Sequence, residues 1–62
     1  MTPNELLKWR LDNELSQEEA AKLIGCSRRG YQNWEEGKSK IPRYVALAIA
    51  AIQVGLAPYG TN

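Results

Sequence analysis

The chain has 62 residues, of which 44% are hydrophobic and 24% charged, with a formal net charge of +1. That balance fits one small folded domain, and no apolar run approaches the roughly 20 residues that a bilayer span requires. With no His and a single Cys, an intrachain disulfide, most Cys/His zinc frameworks and His-dependent nucleophilic catalysis are excluded, and no cofactor or metal is expected.

The first residues predict a helix start. Thr2 can cap, Pro3 suits the first helical position, and Glu5 lies three residues after the cap, which completes a capping box. Leu6, Leu7, Arg10 and Leu11 then recur at helical spacing, and the helix should fade near Asp12 and Asn13. Trp9 reads two ways, as a cover for the apolar edge near a later helix or as a partly exposed ring. No basic segment leads into an apolar one here, so no secretory signal is read and a cytoplasmic location is expected.

Ser16 and Glu19 form a second capping box. Ala20, Ala21, Leu23 and Ile24 supply a short apolar face, and Gly25 ends the second helix by taking the left-handed conformation of a tight exit. Ser27 starts a third helix within two residues. It carries Tyr31 and Trp34 at i and i+3 and stops at Gly37. Pro42 opens a fourth, apolar from Val45 to Val54 except for Gln53, which Gly55 and Pro58 terminate. No strand alternation is present, so the predicted fold is all-α, a four-helix domain.

The net charge conceals an asymmetry. Residues 1–27 set Lys8, Arg10 and Lys22 against Glu5, Asp12, Glu14, Glu18 and Glu19; residues 28–43 set Arg28, Arg29, Lys38, Lys40 and Arg43 against Glu35 and Glu36; residues 44–62 carry no charge. A basic middle followed by a neutral apolar end suggests an anion-binding surface joined to a packing or pairing surface, although on charge alone the better reading is a merely solvated face.

The junction around Gly25, Cys26 and Ser27 is decisive for this reading. So short a link forces the second and third helices to cross steeply, as in a helix-turn-helix spanning about residues 16–36. Ala21 is small where the two helices must approach. Ala20, Ile24, Cys26, Tyr31 and Trp34 fall where the pair must bury apolar groups, and Cys26 reads as a small buried hydrophobe. Arg28, Arg29, Gln32 and Asn33 are left on the outer face of the third helix. Arg pairs with guanine edges and Gln or Asn with adenine edges, each through two hydrogen bonds.

Ser16-Gln17-Glu18-Glu19-Ala20-Ala21, then Gly25-Cys26-Ser27, then Trp34-Glu35-Glu36-Gly37-Lys38 resemble the Cro/repressor-type (XRE) helix-turn-helix family, and the wider pattern runs from about Leu6 to Ile52. The resemblance implies a lambda-repressor-like DNA-binding fold that works as a dimer on double-stranded operator DNA. By position it implies that Ser27, Arg28, Arg29, Gln32 and Asn33 lie in or beside the major groove. Gln17 would contact a phosphate and brace the recognition helix, while Lys38, Lys40 and Arg43 would meet the DNA backbone. Arg10 and Glu35 would form a structural ion pair. Repression, self-regulation and an origin in a phage or other mobile element are further implications of the family, and no small-molecule ligand is expected.

Two features depart from the family pattern. Gly30 interrupts the recognition helix, either to let the backbone approach DNA or simply loosening the helix. Many members also carry a fifth helix after the fourth, and the residues after Gly55 are too few to form one. In the fourth helix, about 42–54, Val45, Ala48, Ile49 and Ile52 suit the monomer core. Leu47, Ala50, Ala51 and Val54, extended by Leu56 and Tyr59, form a second stripe, and a helix apolar all round is buried all round. A homodimer through that stripe is expected, the alternative within one chain being that the tail folds back and covers the stripe. An antitoxin or adaptor that binds another protein through the same stripe is the alternative, and the neighbouring Glu18/Glu19 and Glu35/Glu36 pairs, which point in different directions on their helices, make an enzyme the weakest reading.

Overall fold

Both capping boxes form in the computed structural model, which describes residues 1–55. Four helices follow one another: α1 (Pro3–Asp12), α2 (Gln17–Ile24), α3 (Arg28–Glu36) and α4 (Arg43–Gln53). At the start of α1 the Glu5 N–H donates to Thr2 Oγ1 (3.2 Å) and the Thr2 N–H donates to Glu5 Oε1 (2.8 Å). Ser16 and Glu19 repeat the exchange at α2, with distances of 3.0 and 2.8 Å. Each box satisfies two backbone donors that a helix start otherwise leaves open.

Gly25 (φ 96°) and Gly37 (φ 78°) close α2 and α3 in the left-handed region, as glycine permits without a Cβ clash. The exit from α1 does the same with Glu14 (φ 56°), a residue whose type gives no signal of that conformation. Pro42 precedes α4 instead of occupying its first turn: its ψ of 154° keeps it extended, and its carbonyl accepts from the Val45 N–H (3.1 Å).

The core consists of Leu6 and Trp9 from α1, Ala20, Ala21 and Ile24 from α2, Tyr31 and Trp34 from α3, and Val45 and Ile49 from α4. Leu15, Cys26, Ile41 and Ile52 pack at its edge, half-buried. Trp9 is thus a core residue. Leu11 is 58% exposed, because the inward stripe of α1 runs through Leu6 and Trp9 at i and i+3, which leaves Leu11 on the far side. α3 packs against both α1 and α2, and α2 touches α4. The outer side of α4 is open, with Leu47 62% and Val54 72% exposed. Leu56 and Tyr59, assigned to the pairing surface, lie outside the described residues. No helix among the described residues is long and apolar enough to cross a membrane.

Candidate nucleic-acid interface

The α2–α3 pair is held by backbone and small-residue contacts. The N–H groups of Gly25 and Cys26 both donate to Ala21 O, at 2.8 and 2.9 Å, so the chain turns at once after α2. Ala20 and Ala21 are buried at 0 and 2% exposure, where a larger side chain would force the two helices apart. Half-burial pushes the Cys26 thiol up from its ordinary pKa, away from a reactive thiolate.

From behind, α3 is anchored by its aromatics. Tyr31 is fully buried and meets Trp34 edge-on with 6.2 Å between ring centroids, and Trp34 meets Tyr44 in the same manner at 6.3 Å. With 100° between successive residues of a helix, inward Tyr31 and Trp34 leave Arg29, Asn33 and Glu36 on the outward stripe, with Arg28 and Gln32 beside it on the α2 side. Arg28 and Arg29 are exposed; Gln32 and Asn33 are half-buried.

Ser27 caps α3, its Oγ accepting from the Gly30 N–H at 3.1 Å. A Cβ at residue 30 would stand 3.2 Å from that same oxygen. Glycine at this position therefore keeps the cap uncrowded, a local reason for its place inside α3.

A chain of polar side chains links the interior to this outer face. Arg10 Nε donates to Glu35 Oε2 at 2.6 Å, and Arg10 Nη2 to Glu35 Oε1 at 3.1 Å. The Gln17 amide nitrogen donates to the same Oε1 at 2.9 Å, and the Gln32 amide nitrogen donates to Gln17 Oε1 at 3.0 Å. The Arg10 and Glu35 side chains are only 15% and 7% exposed. Burial by itself would raise the Glu35 carboxyl, but the hydrogen bonds from Arg10 and Gln17 hold it below the usual carboxylate range. Arg10 is raised by its bond to Glu35. Tyr31 is pushed well up, first by burial and then by the Glu35 carboxylate, although its hydroxyl makes no hydrogen bond of good geometry.

This chain fixes the direction of each amide. A carboxylate only accepts, so Gln17 must turn its NH2 toward Glu35 and its oxygen toward Gln32. Gln32 must in turn point an N–H at Gln17, which leaves its own oxygen and second N–H free. Ser16, Gln17, Glu18, Arg28 and Gln32 together line a surface cleft of about 310 Å³ where α2 and α3 begin. Gln17 is thus brought beside Arg28 and Gln32. Lys38, Lys40 and Arg43 are exposed on and after the loop that follows α3. Lys38 Nζ lies 3.2 Å from Glu36 Oε1; among the described residues Arg28, Arg29, Lys40 and Arg43 form no ion pair.

A family model described as helix-turn-helix matches residues 6–52, which include all four helices except the first residues of α1 and the last of α4. No curated protein and no solved structure matches the chain.

Proposed function

Because the chain belongs to the Cro/repressor-type helix-turn-helix family of DNA-binding transcription regulators, we propose that it is a homodimeric repressor that reads an inverted-repeat operator in double-stranded DNA. The observation that carries this reading is the two-sided character of α3: aromatic anchors inward, and Arg28, Arg29, Asn33 and the oriented Gln32 outward. The free oxygen and N–H of Gln32 match the donor–acceptor edge of adenine, and Arg28 and Arg29 suit guanine. Ser27 sits at the same end of α3, where a recognition helix meets base edges.

Affinity and register come from the backbone contacts. The α2 capping box engages the N–H groups of Ser16 and Glu19, which leaves those of Gln17 and Glu18 for a phosphate at the helix N-terminus. Lys38, Lys40 and Arg43 extend this contact along the backbone. Two protomers paired through Leu47, Ala50, Ala51 and Val54 would set their recognition helices about 34 Å apart, one turn of the double helix. Occupying a promoter in this way blocks polymerase, and the family's frequent self-regulation in phages and mobile elements makes the chain's own promoter the first DNA to search.

Selection from a random duplex pool tests the proposal: an inverted repeat should be enriched, and recovery of unrelated sequences would overturn it. On the selected site, Arg28→Ala or Arg29→Ala should cost about 1–3 kcal/mol wherever the residue reads a base, with a smaller loss on random duplex. Equal losses on both duplexes would make the residue a phosphate contact instead. Lys40→Ala should weaken binding to every sequence and flatten the dependence of log K on log salt by about 0.9. An unchanged slope would remove Lys40 from the interface.

A further inference from the structure

Glu36 occupies a place that the stability of the fold does not explain. It is the last residue of α3, where a carboxylate opposes the helix dipole, and no basic residue in that last turn offsets it. Its ion pair with Lys38 joins side chains that are 53% and 70% exposed, a kind of pair that contributes about 0–1 kcal/mol. Yet its position is well defined. Glu36 follows Arg29 and Asn33 at i+7 and i+3, on the stripe opposite Tyr31 and Trp34. The loop then turns back at Gly37, and the N–H groups of Lys38 and Ser39 donate to Asn33 O at 2.9 and 3.3 Å. That turn sets the Lys38 ammonium against the Glu36 carboxylate beside the DNA-reading face.

We infer that Glu36 sets the strength of DNA binding by cancelling the charge of Lys38 at the end of the recognition helix, so that the Glu36–Lys38 pair itself releases no net counterion. The inference rests on the DNA-binding reading above. The C-terminal end of a recognition helix leaves the bases and nears the phosphates, where a carboxylate repels every sequence alike. Lys38 supplies one positive charge there and Glu36 removes it. The protein thereby binds all DNA less tightly and exchanges among sites more readily than its count of basic residues implies.

The test measures binding of the full chain to its selected site and to random duplex between about 50 and 200 mM salt, for the wild type, Glu36→Gln and the double variant Glu36→Gln/Lys38→Met. Glu36→Gln should bind both duplexes several-fold tighter at low salt, by the same factor, with a slope steeper by about 0.9. The double variant should return to the wild-type slope. An unchanged slope in Glu36→Gln overturns the inference, as does weaker binding confined to the selected site, which would make Glu36 a base-reading acceptor for cytosine. Thermal melts of both variants serve as the folding control, and Glu36→Gln should melt no lower than the wild type. If the wild type binds no duplex, the DNA-binding reading fails as well; if it binds and only the slope test fails, that reading stands.

Discussion

Replacing Glu35 by alanine should cost about 3–5 kcal/mol, most of the stability of a domain this small. The substitution leaves the Arg10 guanidinium, 15% exposed, with only the Leu15 carbonyl as a partner (3.1 Å from Nη1). It also frees Gln17 and, through it, Gln32. Urea unfolding at neutral pH measures the cost, and a loss under about 1 kcal/mol would show that the pair is solvated and dispensable. Replacing both partners together, Arg10→Met with Glu35→Leu, should recover much of the loss, since a buried ion pair exchanged for apolar side chains is often neutral or better. The recovered protein should still read DNA less well, because Gln32 has lost its orientation. The same cluster sets the pH limits. Glu35 is depressed in the folded state, so its contribution is complete above the unfolded carboxyl value of about 4.3 and is lost as pH falls through the lower folded value. Tyr31 is raised, so its contribution is complete below about 10 and is lost as pH rises toward the folded value.

The parts of the fold that are legible in the sequence are those decided by neighbouring residues. Thr2 with Glu5, Ser16 with Glu19, and the turns at Gly25 and Gly37 are local chemistry, and each appears where its residue types predict. Trp9 is different: periodicity leaves its burial open, and only the approach of α3 and α4 decides it. Glu14 adopts a left-handed backbone with no glycine or asparagine to announce it, because the Leu11 and Arg10 carbonyls capture the N–H groups of Glu14 and Leu15 at 3.0 and 3.1 Å as α1 ends. The candidate site is split in the same manner. The outward set on α3 follows from helical spacing once Tyr31 and Trp34 are placed inward. The Gln17–Gln32 bond joins residues 15 apart, and no local pattern in the sequence announces it. Lys38 and Lys40 look alike in the sequence, whereas in the structure one is matched by Glu36 and the other is not.

If two copies pair through α4 on an inverted repeat, as proposed, Leu47→Glu should yield a monomer and lower the affinity for that repeat by about 10²–10⁴, the gain that linking two binding modules confers. Its affinity for an isolated half-site should be unchanged, since Leu47 lies on the side of α4 away from Val45 and Ile49 and contributes nothing to the monomer core. Leu47 and Val54 are 62% and 72% exposed, Ala50 is exposed beside them and Ala51 half-buried. An apolar face of this kind on a small domain marks a surface meant to be covered. In the proposed dimer, the small alanines would let a second α4 approach closely and the larger side chains would interlock around them. Sedimentation of the wild type at micromolar concentration gives the first answer, and a monomer there sinks the dimer. A monomer that becomes well behaved only with a different protein bound would assign the α4 face to that partner and favour the adaptor alternative. The variant then separates the two proposed uses of the chain: with α3 intact and pairing removed, the half-site affinity that remains would measure the DNA contacts of one copy, and the lost factor would measure what pairing through α4 adds.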